Sequence, residues 1–244
     1  MQSITRRAFS KSHLKEKMVD IIAARQKEVQ AFKKEHSNTV IGEVTIGAVM
    51  GGMRGLPGMH YETSKLDAME GIAYRGHSLR EVQKKGPKTV PNGEPIPEGV
   101  LWLLLTGEFP SESEMKAFKE EIYQRGQLSK EQEKLITSFP KDMHAMTQFS
   151  AGVMMCQPDS HFAKAYQSGV HKSKYWEATY EDALDVCAKA SRIASIVFHN
   201  KYGDNSKVPD RDGALDYGAN YANQLGFKDK NFWELMRLYI TIHA

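Results

Sequence analysis

The chain has 244 residues, of which 41% are hydrophobic and 26% charged, an ordinary balance for a globular protein and enough for one large domain. Its formal net charge of +3 is too small and too evenly spread to favour nucleic-acid binding. Two isolated cysteines and nine histidines without an HxxxH or HxH pair argue against a disulfide scaffold and a metal site. No apolar run approaches the roughly 20 residues that a membrane helix needs.

The first ten residues differ in composition from the rest. They carry Arg6 and Arg7, two serines and one threonine, and no acidic residue. This is typical of a mitochondrial presequence, with a processing signal at Arg7-Ala8-Phe9-Ser10. We therefore predict that residues 1–9 are a presequence, that residues 10–244 form the working protein, and that it lies in the mitochondrial matrix. The alternative is a frayed basic terminus.

An amphipathic helix is predicted over residues 14–34, where Leu14, Met18 and Phe32 recur at helical spacing among charged residues. Residues 39–46 are rich in β-branched side chains and alternate, which predicts a strand. The strand would lead into the one region of the chain that is not helical.

Five of the nine residues from Met50 to Gly58 are glycine or proline, so regular structure is unlikely to continue there. Arg54 lies among them without an acidic neighbour in sequence. A guanidinium on a glycine-rich loop is suited to binding a phosphate or carboxylate, because its fork matches those anions. The alternative interpretation is a surface loop with a solvated arginine.

After Gly76 the pattern is helical. The segment 98–107 is apolar on every side, which predicts a buried helix ending at Gly107. Ser111 and Ser129 each precede a capping-box partner three residues later, so each should begin a helix. The remaining helices are predicted at 77–82, 143–155, 175–198, 212–225 and 229–243. With about nine or ten helices and a small β region near residues 39–75, the fold class is all-α.

Two of these helices have the character of contact surfaces. Residues 143–155 are rich in methionine, and such stretches usually form core or subunit contacts. Residues 175–198 form the longest predicted helix and carry small side chains on two faces. We expect that helix to be central or to lie at a dimer interface.

Several motifs in one order resemble the citrate synthase family, in its eukaryotic mitochondrial type. The likeness begins with Gly-Gly-Met-Arg-Gly at 51–55 and Tyr-Glu-Thr-Ser at 61–64, and it extends over nearly all of residues 12–244. The further motifs are Glu-Gly-Ile at 70–72, Pro-Ile-Pro-Glu-Gly at 95–99, Met-His-Ala-Met at 143–146, Gly-Val-His-Lys at 169–172 and Thr-Ile-His at 241–243.

The resemblance implies a mostly helical homodimer with a large and a small domain. It implies condensation of acetyl-CoA with oxaloacetate to give citrate and CoA, in which a carboxylate takes a proton from the acetyl methyl group while a histidine hydrogen-bonds the enol. Neither a metal nor a redox cofactor is implied. The helices at 143–155 and 175–198 would form the dimer contact.

Three residues take roles from the family. Arg54 matches a loop arginine that contacts CoA phosphate. Lys172 stands where relatives have an arginine near CoA, so the charge is kept but the bidentate fork is lost. His243 matches the first histidine of the segment beside the oxaloacetate pocket. Judged by its sequence position alone, His243 at a helix end would be structural.

The family's catalytic motifs do not occur in these 244 residues, and the resemblance places them downstream of Ala244. We therefore expect no catalytic residue here and no small domain. The chain is predicted to be the N-terminal part of the large domain and inactive by itself. Two alternatives stay open: a naturally short, non-catalytic interaction subunit on the same scaffold, and 2-methylcitrate synthase, whose acyl pocket would also lie downstream.

Overall fold

The computed structural model describes residues 13–203 and 208–244, and the predicted presequence at residues 1–9 lies outside these ranges. Within them the regular structure is eleven α-helices, two short 3₁₀ turns and one small sheet, so the all-α prediction is confirmed. The helices are α1 (Leu14–His36), α2 (Ile46–Met50), α3 (Leu79–Lys85), α4 (Pro97–Thr106), α5 (Glu112–Arg125), α6 (Lys130–Thr137), α7 (Ala145–Met154), α8 (His161–Gln167), α9 (Tyr175–Tyr202), α10 (Tyr217–Gln224) and α11 (Lys230–Ile242).

The sheet is a three-stranded antiparallel meander in the order β1 (Ser64–Asp67), β2 (Gly71–Tyr74) and β3 (His77–Ser78). Ser64 pairs with Tyr74 at one end of the first ladder, and Asp67 with Gly71 at the other. The side chain of Tyr74 is fully buried, so β2 helps to anchor the sheet to the helices.

The predicted strand at residues 39–46 is wrong. Residues 39–45 have no regular structure, and the Thr45 hydroxyl instead caps α2 by accepting the Ala48 N–H at 3.1 Å. β-branched residues favour a strand only when a neighbouring strand is available to pair with them. No strand of the described residues lies beside this segment, and the β region begins at Ser64.

Helix starts follow the capping residues. Ser78, Ser111 and Ser129 each form a full capping box, as predicted for the latter two. Gly107 ends α4 with φ 83°, a conformation that glycine adopts without steric cost.

The helix predicted from residue 212 begins only at Tyr217. Asp216 is the N-cap and accepts the Gly218 and Ala219 N–H groups. Asp212 lies in the preceding turn, where its N–H donates to Asn220 Oδ1 at 2.8 Å.

Helix α9 is the central element of the fold, as predicted. It has 28 residues and packs against α5, α6, α7, α8 and α10. The small side chains of Ala188, Ser191 and Ser195 are buried on its inner face, which lets the neighbouring helices approach closely. One core cluster joins Leu184 to Trp102 and Phe118, whose rings meet edge to face at 5.5 Å.

An ion network fixes α5 against α9. Arg125 donates to Glu121 at 2.7 Å, to Glu181 at 2.5 Å and to Asp185 at 2.6 Å. Lys15 of α1 also binds Glu181, at 2.7 Å. Burial alone would raise the pKa of Glu181, but the hydrogen bonds from Lys15 and Arg125 outweigh it and lower that pKa to about 2.

Residues 37–63, which we call the arm, contrast with this core. Ala48 and Leu56 are half-buried, and every other residue of the arm is exposed. Many of the exposed side chains are large and apolar, and Met50 is 84% exposed. No helix among the described residues has the length and apolar character needed to cross a membrane.

Candidate functional site

Arg54 lies on the glycine-rich loop of the arm, just after α2. Gly52, Met53 and Gly55 adopt φ values of 77°, 63° and 79°, so the chain turns sharply around the arginine. The Met53 N–H donates to the Ala48 carbonyl at 2.7 Å and closes the turn on α2. Within residues 13–203 and 208–244 no group is hydrogen-bonded or ion-paired to the Arg54 side chain, so its guanidinium is available to an anion.

Beyond the bonds of Ser37 and Thr39 to the end of α1, two contacts among the described residues fix the far end of the arm. Arg25 of α1 pairs with Glu62 at 3.1 Å, and the Arg75 N–H donates to the Thr63 carbonyl at 2.9 Å. Arg75 then donates from its side chain to the Leu104 and Leu105 carbonyls at the end of α4. A cation at a helix C-terminus satisfies orphan carbonyls and complements the helix dipole. Arg75 therefore links the base of the arm to the core.

Lys172 opens the 3₁₀ turn between α8 and α9 and is exposed. The turn is held by His171, whose Nδ1 accepts the Ser173 N–H at 3.3 Å. Lys174 ends the same turn and is also exposed, so the turn carries two cations. Aromatic rings line the neighbouring surface, in a cluster of Phe162, Tyr166 and Tyr175 with centroids 5.2 to 6.2 Å apart.

His243 follows the last turn of α11 and is exposed. Its Nδ1 lies 2.7 Å from the Tyr239 carbonyl oxygen, and its ring lies 4.4 Å from the Tyr239 ring. Because a carbonyl oxygen only accepts, Nδ1 carries the hydrogen in this contact. In the neutral ring this leaves Nε2 as an acceptor for a hydrogen bond from a neighbouring group.

The three predicted site residues lie on three separate elements. In the described part of the chain no hydrogen bond or ion pair connects any two of them. Two cavities of about 230 and 300 Å³ lie elsewhere, one beside Cys156 and Lys189 and the other beside Arg192 and Arg211. Neither is lined by the predicted residues. Across residues 13–203 and 208–244, no group of three His, Cys, Asp or Glu side chains could hold a metal ion.

The comparisons with known proteins decide the family. The family model for "Citrate synthase, C-terminal domain" matches residues 52–244 of this chain. The chain belongs to the citrate synthase family.

Curated citrate synthases match nearly the whole chain. The mitochondrial citrate synthase of Saccharomyces cerevisiae is 45% identical over 235 residues, which is 96% of this chain and 49% of the yeast protein. Mitochondrial citrate synthase of Kajikia audax is 43% identical over 235 residues, 96% of this chain and 50% of the relative. Citrate synthase 4, mitochondrial, of Arabidopsis thaliana is 44% identical over 231 residues, 95% of this chain and 48% of the relative. The chain thus spans about half the length of these citrate synthases.

Solved citrate synthases share the fold at low sequence identity. The crystal structure from Pyrobaculum aerophilum superposes with a TM-score of 0.68 at 18% identity and covers 84% of this chain and 50% of that one. The Thermoplasma acidophilum enzyme, solved as a ternary complex with carboxymethyl coenzyme A and oxaloacetate, gives 0.58 at 18% identity and covers 80% of this chain and 46% of that one.

Sequence reasoning missed a buried group beside α11. Glu98 lies in the apolar helix α4, is buried, and interacts electrostatically with Asp216 and Arg237. The sequence does contain an indication of this contact, namely a single carboxylate in the apolar run Pro-Glu-Gly-Val-Leu-Trp-Leu-Leu-Leu. An ionised group is rarely buried without a partner, so this carboxylate predicts one.

Proposed function

We propose that this chain forms part of a citrate synthase that condenses acetyl-CoA with oxaloacetate to give citrate and CoA. The observation that carries the proposal is 45% identity to the yeast mitochondrial enzyme over 96% of this chain. The bound carboxymethyl coenzyme A and oxaloacetate of the Thermoplasma enzyme support the two ligand classes. Residues 10–244 would be the N-terminal part of the large domain.

Arg54 and Lys172 are proposed to hold the phosphates of CoA. Both side chains are exposed cations on loops, and neither is engaged by another described residue. The positive-φ turn at Gly52, Met53 and Gly55 leaves the backbone around Arg54 open to a bulky anion. Arg54 would supply a bidentate contact and Lys172 a point charge, so the loss of Arg54 should weaken CoA binding more.

His243 is proposed to stand beside the oxaloacetate pocket. Its Nδ1–H donates to the Tyr239 carbonyl, and this bond fixes the orientation of the ring. The proton transfers at the acetyl methyl group need a general base and a hydrogen-bond donor in fixed geometry. We assign those groups to the part of the relatives that this chain does not span. The residues of this chain would bind and orient CoA and oxaloacetate.

The helices at 143–155 and 175–198 are proposed to form a homodimer contact. Met146 is 61% and Met154 75% exposed, and their spacing of eight residues places them on one face of α7. Val186 of the adjacent α9 is also exposed. Exposed methionines beside small side chains form an adaptable apolar surface, which suits contact with a second copy.

A mitochondrial location, and specifically the matrix, is part of the proposal. The relatives from Saccharomyces, Kajikia and Arabidopsis are all described as mitochondrial. The basic, acid-free composition of residues 1–10 supports import.

The test compares the 244-residue chain with a joined chain, in which these residues are followed by the yeast citrate synthase residues beyond the matched region. Thiol release from acetyl-CoA plus oxaloacetate is the assay. We expect no turnover from the 244 residues and measurable turnover from the joined chain, with propionyl-CoA a poorer substrate. Turnover by the 244 residues alone, or a folded joined chain without activity, would contradict the proposal.

A further inference from the structure

Three carboxylates and one guanidinium meet where α4, α10 and α11 pack together. Glu98 of α4, Asp216 at the start of α10 and Arg237 of α11 are only 3%, 1% and 4% exposed. Arg237 donates to both carboxylate oxygens of Asp216, at 2.6 to 3.2 Å. It also donates to Glu234, one turn earlier on α11, at 2.6 Å. This group, which we call the α11 cluster, is a buried polar contact between α11 and the core.

The charges of the α11 cluster do not balance if all three carboxyl groups are ionised. One guanidinium would face three negative charges, two of them out of contact with water, and an uncompensated buried charge is costly. One carboxyl group must therefore keep a proton in the folded chain.

The hydrogen bonds identify which group holds it. Asp216 accepts from Arg237 and from the Gly218 and Ala219 N–H groups. Glu98 Oε1 accepts the Tyr217 N–H, at 2.8 Å, and Glu98 Oε2 has no hydrogen-bond partner. The carboxyl group with the fewest donors gains least from ionisation, so the proton resides on Glu98.

The other charged groups around α4 are hydrogen-bonded elsewhere, and the attraction of Glu98 to Lys119 and Arg211 does not offset its burial. From α5, the Lys119 ammonium donates to the Ala214 carbonyl at 2.7 Å. From the loop before α10, Arg211 donates to the Tyr123 carbonyl at 2.5 Å. From α1, Lys17 binds Glu114 at 2.7 Å, and Lys15 belongs to the network on α5 and α9. Burial first, and then the charge of Asp216, raise the pKa of Glu98 to about 7.

We propose that Glu98 is a positioning residue, whose bound proton keeps α11 docked on α4 and α10 and thereby fixes the end of α11 that carries His243. The role of His243 rests on the proposed function, whereas the docking of α11 does not. Ionisation of Glu98 adds a second negative charge beside Asp216, and movement of α11 away from α4 lets water reach both. The position of His243 therefore depends on the protonation of Glu98 and is sensitive to pH near neutrality.

The direction of the effect follows from proton linkage. In a state with α11 detached, Glu98 is solvated and titrates near its ordinary 4.5, whereas in the docked state its pKa is about 7. Docking of α11 is therefore strongest below pH 4.5. It weakens as the pH rises toward the pKa of Glu98 in the docked state, and above that pKa the contribution of the bound proton is fully lost. A difference of this size corresponds to about a hundredfold change or more in the opening equilibrium.

Hydrogen–deuterium exchange of the α11 amides, corrected for intrinsic rates, measures this opening between pH 5 and pH 8. We expect α11 in the wild-type chain to open about a hundred times more readily at pH 8. Glu98→Gln, which is uncharged and keeps the acceptor for Tyr217, should reduce that change to tenfold or less. Glu112→Gln, at an exposed glutamate of α5, should behave as wild type.

Equal pH dependence in Glu98→Gln and wild type would overturn the proposal. Should Glu98→Gln fail to fold, a ¹³C NMR titration of the wild-type glutamate carboxyl groups answers the same question. A group with its midpoint near 7 supports the proposal, and titration of every glutamate below 5 overturns it. Neither measurement depends on catalytic activity. A failed assay for citrate synthesis would therefore contradict the proposed function without affecting the conclusion about Glu98.

Discussion

The Tyr74 hydroxyl donates a hydrogen bond of 2.5 Å to the carbonyl oxygen of Thr241. The two residues are 167 positions apart, so this bond connects β2 to the last turn of α11. Tyr74 is fully buried and Thr241 nearly so, and burial raises the pKa of the Tyr74 hydroxyl. The sheet at the base of the arm and the helix that carries His243 thus share one buried contact.

Tyr74→Phe should destabilise the chain by about 1–2 kcal/mol, because it leaves the buried Thr241 carbonyl without its donor. Urea unfolding followed by circular dichroism measures the change. The matched control is Tyr61→Phe, which removes an exposed hydroxyl from the arm and should cost nothing measurable. Equal stability of the two variants would contradict the structural role given to this bond.

Gly152 lies where α7 packs closely against α9. A Cβ atom built there would lie 2.6 Å from Ile193 Cγ2, and Ile193 is a buried β-branched residue with little freedom at χ1. Gly152→Ala should therefore destabilise by about 1–3 kcal/mol, despite the better helix propensity of alanine. Ser150→Ala, on the exposed side of α7, gains propensity without a clash and should be neutral or slightly stabilising. Thermal unfolding of both variants tests this, and a stabilised Gly152→Ala would refute the tight crossing.

Acid should weaken the network around Arg125. The pKa of Glu181 is about 2 in the folded chain and 4.5 when the chain is unfolded, so its contribution is present above pH 4.5 and is lost as pH falls toward 2. Solvent screening reduces the loss to roughly 2 kcal/mol. Urea unfolding at pH 7 and pH 3 should show a smaller difference for Glu181→Gln than for wild type. Glu70→Gln, at an exposed turn, should keep the wild-type difference, and the same acid response in all three chains would contradict the assignment.

Local chemistry explains what the sequence predicted well. The serine caps and Gly107 act within three or four residues of their own position, so the helix boundaries that they set could be predicted from the local sequence. Helix α9 could be predicted in the same way, because its apolar and small residues repeat at helical spacing.

The structural features that the sequence did not predict depend on residues far apart in the chain. Residues 39–46 have strand character but no partner strand, and pairing is a property of the whole fold. Glu98 interacts with Asp216 and Arg237 across more than 100 residues, and the apolar run around Glu98 indicates that it needs a partner but not which residues these are. The arrangement of Arg54, Lys172 and His243 on separate elements likewise could not be derived from their spacing, and their roles remain proposals.

The exposed methionines of α7 provide the last prediction. In the joined chain, Met146→Glu with Met154→Glu places charges on the face proposed to meet a second copy, and like charges buried in an apolar contact are strongly unfavourable. We expect light scattering to give the mass of a dimer for the unaltered joined chain and of a monomer for the double variant. Met69→Glu, at a β-turn residue that is 93% exposed, should remain dimeric. Because both altered side chains are already in water in the single chain, the folded monomer should lose little stability. A double variant that keeps the dimer mass would show that α7 lies outside the contact, whereas a monomeric Met69→Glu would move the contact toward the sheet.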